Sequence, residues 1–177
     1  MKKVLYIWLV FVCSCNYNSK VIDWSSDFHK ENRLVYYKGN LFSGGVKTYT
    51  DDGKLETEVF YKNGKLNGSF KRWYPNGILA DHRSYSNGIK QGVHKGWWPN
   101  GVKKYQFQFN NKGLLTGELK EWFSNGLLFK EFHYTDGMEN GSQKMWTSKG
   151  TYRANYVIKN GEKYGLIGSK QCDKVDE

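Results

Sequence analysis

Cysteine, proline and long apolar runs are what this sequence has least of. Its 177 residues hold three cysteines and two prolines. Cys13, Cys15 and Cys172 are too few for a disulfide framework or a cysteine-based zinc site. The apolar run Val4–Val12 covers nine residues, whereas a membrane-spanning helix needs about 20. Catalytic signatures are missing too: there is no H-E-x-x-H, no G-x-S-x-G and no phosphate-binding P-loop. His82, His94 and His133 fall at different places in the pattern described below, so no recurring metal pair or general base is expected. Cys172 sits in a polar tail with nothing beside it to activate a thiol. These absences point away from an enzyme and from any cofactor.

Glycine and aromatic residues are plentiful instead, with 20 Gly, 7 Trp, 13 Tyr and 10 Phe. That mix suits many short strands joined by tight turns and argues against a helical bundle. Its aromatic content also separates it from disordered chains of similar polarity. The formal charge is +10. Without residues 1–15, which carry Lys2 and Lys3 and no acid, 25 cations face 17 acids. Such a surface either favours acidic partners or serves solubility alone.

Lys2-Lys3 followed by Val4–Val12 reads as an export signal. The next residues, Val12-Cys13-Ser14-Cys15, resemble a bacterial lipobox, in which the cysteine after a small residue is acylated. The resemblance implies a lipoprotein-type signal peptide over 1–15 and lipid attachment at Cys15. It also implies an exported protein anchored to a membrane of the cell envelope. An ordinary signal peptide is the alternative reading.

The rest of the chain is periodic. Gly44, Gly68, Gly92, Gly117, Gly141 and Gly165 are separated by steps of 24, 24, 25, 24 and 24 residues. Five residues after the first five of them stand Tyr49, Trp73, Trp97, Trp122 and Trp146. Between them run Asx-Gly pairs such as Asn63-Gly64, Asn76-Gly77, Asn87-Gly88 and Asn100-Gly101, which favour hairpin turns because both residues tolerate positive φ. Leu55, Thr57, Val59 and Tyr61 alternate with Glu56, Glu58 and Phe60, and later segments repeat the alternation, as expected of half-buried antiparallel strands. Each copy therefore predicts two strands and two turns, stacked on its neighbours. The 25-residue step near Asn110-Asn111 predicts a bulge or longer turn. The expected fold is all-β: an elongated, twisted antiparallel sheet of stacked β-hairpins. Residues 16–32 read as a tether, with Val21–Trp24 folding back as an N-terminal cap. Residues 33–168 read as six repeats, and 169–177 as a polar tail.

The unit Gly68-Ser-Phe-Lys-Arg-Trp73-Tyr74-Pro-Asn-Gly77, followed by Tyr85-Ser-Asn-Gly88, resembles the bacterial variant of the MORN repeat. The resemblance covers roughly Arg33–Gly168. It implies a hairpin array and protein binding, and the family is often labelled as YwqK-type antitoxins of toxin–antitoxin modules. Choline- or glucan-binding repeats of cell-wall proteins are a second, weaker resemblance, with units nearer 20 residues.

Lys47, Lys71, Lys95, Lys120 and Lys144 form a further column, three residues after each repeat glycine and two before each aromatic. Lys71, Trp73, Lys95, Trp97, Lys120 and Trp122 are therefore the candidate binding face, a basic-aromatic ladder. The competing reading is that lysine stems merely cover the indole rings. The second aromatics Tyr74, Trp98 and Phe123 point the opposite way, as a packed face or as an exposed patch. Glu56, Glu58 and Glu121 are expected to form cross-strand ion pairs.

The function expected is that of a non-enzymatic, envelope-anchored scaffold that binds protein in the manner of an antitoxin. The alternative is a module that binds glycan or anionic lipid in the envelope. A protein partner, with a toxin as one candidate, is expected rather than nucleic acid, and lipidated Cys15 supplies the membrane contact. Open sheet edges would support end-to-end self-association.

Overall fold

A computed structural model describes residues 20–166 and Gly168. The proposed signal segment with Cys15, and the tail 169–177 with Cys172, lie outside the described residues.

Sixteen strands and no helix make up the described chain. They are β1 (Val21–Asp23), β2 (Phe28–Glu31), β3 (Leu34–Tyr37), β4 (Asn40–Leu41), β5 (Gly44–Tyr49), β6 (Leu55–Lys62), β7 (Lys65–Trp73) and β8 (Leu79–Ser86). There follow β9 (Ile89–Lys90), β10 (Gly92–Trp97), β11 (Lys103–Phe109), β12 (Gly117–Trp122), β13 (Leu128–Thr135), β14 (Met138–Trp146), β15 (Tyr152–Lys159) and β16 (Glu162–Leu166). A 13-stranded sheet runs in the order β1-β5-β6-β7-β8-β10-β11-β12-β13-β14-β15-β16, with β9 paired to β8. From β5 onward each strand runs antiparallel to the next along the sheet. The expected stack of hairpins is therefore the observed fold.

The Asx-Gly turns divide into two classes that alternate along the chain. At Asn63-Gly64, Asn87-Gly88, Asp136-Gly137 and Asn160-Gly161 both residues have positive φ, which makes two-residue type I′ turns. At Asn76-Gly77, Asn100-Gly101 and Asn125-Gly126 only the glycine does. There the glycine N–H donates back three residues, as Gly77 N to Tyr74 O at 2.8 Å, closing a type I turn with Pro75 at its second position. The extra residue of the 25-residue step lies in such a turn. Gly113 N donates to Asn110 O at 3.0 Å, so a longer turn stands where the period would put a type I′ turn. The strand that leaves it is shortened, and β11 and β12 share only Tyr105–Glu121 and Gln106–Lys120 as ladder positions, besides a bridge from Phe109 to Leu115.

The repeat glycines have a structural cause of their own. All six lie at positive φ, Gly68 at 101° and Gly92 at 66° among them. At Gly68 and Gly141 they stand where the ladder to the preceding strand shifts register. A second irregularity falls before each aromatic, between Arg72 and Trp73 for example, and leaves Ala80 on the facing strand without an opposite residue. Bulges of this kind raise the local twist of a sheet.

Alternation then sorts the side chains into two unequal faces. Val46, Val59, Leu119, Phe132, Gln143, Ala154 and Tyr156 are buried, and all lie on one face, the inner one. Lys47, Glu58, Lys71, His82, Lys95, Gln106, Lys120, Glu131 and Lys144 lie on the outer face, and none is buried. A single-layered sheet can bury one face only by curling toward it, which the recurrent bulges allow.

The first edge of the array is capped. β1 runs parallel to β5, with Val21 opposite Gly45 and Asp23 opposite Lys47. β2, β3 and β4 form a separate three-stranded sheet. Phe28, Val35 and Phe42 of that region pack with Val46 of the array in one buried cluster. Val35 N donates to Gly64 O at 2.9 Å, and Gly64 N donates to Phe42 O at 2.8 Å, fixing the cap to the first type I′ turn. The fold-back of Val21–Trp24 is thus one part of a larger cap. Residues 33–42 belong to that cap, and the array's own sheet opens at Gly44 rather than at Arg33. The opposite edge, β16, is exposed along all five residues.

Candidate binding face

The lysine column forms one continuous row across the outer face. Reading strand to strand, the ladder joins Lys47, Glu58, Lys71, His82, Lys95, Gln106, Lys120, Glu131, Lys144 and Asn155. Every second position is a lysine, because a repeat of two strands returns each column two strands on. Glu58 lies 3.8 Å from Lys47 and 3.7 Å from Lys71, and Glu131 lies 3.0 Å from Lys120. Cross-strand pairing thus accounts for part of the row. In its middle, His82 and Gln106 take the places of the acids, and Lys95 has no carboxylate within 4.0 Å among the described residues. Burial and the adjacent charges of Lys71 and Lys95 lower the pKa of His82.

The indoles do not sit under these lysines. Among the described contacts no column lysine lies over the aromatic two residues on. Lys103 lies over Trp122 at 5.0 Å instead. Lys71, Trp73, Lys95, Trp97, Lys120 and Trp122 are all half-buried.

Tyr74, Trp98 and Phe123 are half-buried as well, partly packed and partly open. They open the type I turns and join one repeat to the next. Tyr74 Oη donates to Trp97 O at 2.9 Å, and Trp98 Nε1 donates to Trp122 O at 2.9 Å. The turn asparagines do likewise. Asn76 Nδ2 donates to Pro99 O and Asn100 Nδ2 to Ser124 O, both at 2.8 Å, while each Oδ1 accepts the N–H two residues on within its own turn.

The inner face carries two adjoining cavities. One cavity of about 220 Å³ is lined by Arg83, Lys90, His94, Tyr105, Phe107 and Phe109. A second of about 290 Å³ is lined by Trp98, Lys104, Tyr105, Phe107, Glu121, Trp122, Phe123 and Phe129. Tyr105 and Phe107 belong to both, and their rings stack with centroids 4.7 Å apart and an interplanar angle of 20°. Cations lie over the surrounding rings: Arg83 over Phe70 at 5.4 Å, Lys90 over Phe109 at 5.1 Å and Lys104 over Trp98 at 4.3 Å. A basic-aromatic surface therefore exists, but on the face opposite the lysine column.

A buried ion cluster supports this groove. Asp81 is 3% exposed. It accepts hydrogen bonds from Arg72 at 2.5 Å, from Arg83 at 2.9 Å and from the Tyr105 hydroxyl. Burial alone would raise the Asp81 carboxyl, but the hydrogen bonds from Tyr105, Arg83 and Arg72 outweigh it and hold the pKa below 3.8. Burial, together with the hydrogen bond to Asp81, pushes the Tyr105 phenol up to about 12. His94, 3% exposed, is hydrogen-bonded through Nε2 to Ser84 O at 2.8 Å. Burial first, and the charges of Arg83 and Lys90 after it, lower its pKa. Sequence reasoning passed over Asp81, Arg83 and Tyr105, and weighed His94 only as a metal ligand or general base. The available signal was Arg83 among Val59, Phe107, Phe132 and Tyr156, and His94 among Val46, Phe70, Leu119 and Gln143.

Three consecutive segments, residues 44–63, 66–87 and 90–111, match the MORN repeat variant. Over those three segments the chain is similar to that repeat. The matched segments cover the hairpins from β5 to β11. MORN repeats are generally protein- or lipid-binding modules. No curated protein matches the chain. Among the described residues no group of three His, Cys, Asp or Glu side chains could hold a metal ion.

Proposed function

We propose that this protein is a non-enzymatic binding scaffold whose inner face takes a protein partner in the manner of an antitoxin. The observation that carries the reading is the pair of adjoining inner-face cavities built on the stacked rings of Tyr105 and Phe107. Desolvated aromatic pockets rimmed by cations are what energetically dominant interface residues occupy. Affinity capture from the producing cell's envelope fraction, using the full chain and a Lys90→Glu/Lys104→Glu variant, tests it. A partner retained by the native chain and lost by the variant supports the reading. A native chain that retains no protein contradicts it.

The same proposal places the scaffold at a membrane through acylated Cys15. Metabolic labelling with a fatty-acid analogue should mark the native chain and the Cys13→Ala variant but not Cys15→Ala. Equal labelling of all three, or none, would remove the anchor.

A second reading, binding of glycan or anionic lipid, draws on the middle of the outer row, where Lys71, His82 and Lys95 follow one another without an acid. Charge reversal at Lys71, Lys95 and Lys120 should then abolish sedimentation with anionic vesicles or cell-wall preparations. Unchanged sedimentation excludes that face.

A further inference from the structure

Most inner-face columns are explained by folding alone, and one region is not. The column Val59, Arg83, Phe107, Phe132, Tyr156 is apolar or aromatic except at Arg83. The column Val46, Phe70, His94, Leu119, Gln143 is broken by His94 and by Gln143. Gln143 is fully buried and satisfied within the fold: its Nε2 donates to His133 O at 2.9 Å, and its Oε1 accepts from His133 N at 3.3 Å. Arg83 and His94 instead face a cavity. A repeat explains its regular positions by stability, so a clustered departure that opens a cavity points to recognition.

The cavity's size and charge limit what enters it. At about 220 Å³ it is smaller than typical small-molecule sites, which run from about 300 Å³ upward, so it suits one side chain rather than a whole ligand. Its titratable lining is Arg83, Lys90, His94 and Tyr105, with no carboxylate. Asp81, behind it, is shared between Arg72 and Arg83, so one negative charge faces two guanidinium groups. Lys90 adds a further positive charge at the exposed rim. The adjoining cavity is walled mainly by Trp98, Phe107, Phe123 and Phe129.

We propose that the first cavity receives a carboxylate side chain of the protein partner and the second receives an apolar side chain beside it. The inference rests on the protein-binding reading above and names the chemistry of the partner's anchor. The two side chains would come from one extended segment. Residues two apart on such a segment project to the same side about 7 Å apart, a spacing suited to cavities on either side of one ring pair. A carboxylate in the first cavity would meet Arg83 and Lys90, and would relieve the repulsion those cations impose on each other and on His94.

An NMR titration of the full chain in detergent micelles tests this. The probe is the capped peptide acetyl-Gly-Glu-Ser-Phe-Gly-amide, and its control carries Gln in place of Glu. Saturable shifts of the His94 and Tyr105 ring signals are expected, with binding at least five-fold weaker for the Gln peptide and for Lys90→Gln. Lys90 is exposed and outside the Asp81 cluster, so an unchanged thermal melt confirms that this variant folds. Lys71→Gln, on the outer face, should bind as the native chain does. Absence of saturable shifts at these rings, equal binding of the two peptides, or loss in Lys71→Gln overturns the proposal. Envelope capture of a partner that persists in Lys90→Gln refutes this anchor while leaving the scaffold reading intact.

Discussion

Tyr105 reaches across Gly96 on the neighbouring strand and donates its hydroxyl hydrogen bond to Asp81, one strand farther on. The ladder makes Gly96 the partner of both residues, Asp81 on β8 and Tyr105 on β11. A Cβ at position 96 would overlap the Tyr105 ring, and the other repeats place Thr48, Arg72, Glu121 and Met145 in this column. The missing side chain is what lets a phenol lie flat over a strand and close the ion cluster.

Gly96→Ala should therefore destabilise the protein by about 1–3 kcal/mol through overpacking. Tyr105→Ala should be destabilising alone but less so when added to Gly96→Ala, because removing the ring also relieves the clash. A urea-denaturation double-mutant cycle checks this, with a coupling of roughly 1 kcal/mol expected. Additive effects would show that Gly96 and Tyr105 do not act as a unit.

Removing the acid should weaken the same cluster. Asp81→Ala leaves Arg72 and Arg83 without their shared partner. The guanidinium groups are partly exposed, so the loss should fall at or below the low end of the roughly 3–5 kcal/mol seen for fully buried pairs. Thermal melts at pH 7 read the difference directly.

Stability should also decline on acidification in two stages. His82 and His94 have pKa values lowered below 6.5 by burial and neighbouring cations, so the unfolded chain takes up protons first as pH falls below 6.5. Stability is lost from there down to the folded-state values. Asp81 is held below 3.8, so its contribution is full above that value and is lost as pH falls through the folded pKa. Melting temperature against pH should show both stages, and His94→Leu should shrink the first. A flat profile between pH 7 and 5 would contradict the buried, neutral state of His94.

The two turn classes should respond differently to glycine. Asn87 has φ of 50°, where a residue with a Cβ is strained by about 1–2 kcal/mol. Asn87→Gly should be nearly neutral, and Asn87→Ala destabilising. Asn100 has no such backbone and works through its side chain, which donates to Ser124 O and accepts from Val102 N. Asn100→Gly should therefore cost about as much as Asn100→Ala, or more. Urea midpoints of the four variants decide the point.

The hairpin array was legible because its signals are local and repeated. Gly44 to Gly165 set the period, and alternation such as Leu55, Thr57, Val59, Tyr61 set the strand faces. Even the longer turn at Asn110–Gly113 followed from one extra residue. Two things were not local. The cap depends on Phe28, Val35 and Phe42 meeting Val46 from a different sheet, which no period announces. The groove depends on Asp81, Gly96 and Tyr105 meeting from three strands, in columns with no regular residue type. Sequence reading singled out the regular lysine column, whereas the cavity lined by Arg83 and His94 lies where two inner columns break their pattern.

Site-specific photo-cross-linking in the producing cell tests the central claim most directly. A photoreactive amino acid replaces Lys104, at the inner groove, or Lys95, on the outer row. A discrete protein adduct from position 104 and none from position 95 is predicted. Protein adducts only from position 95, or no protein adduct from either, would contradict the inner face as the site of partner binding.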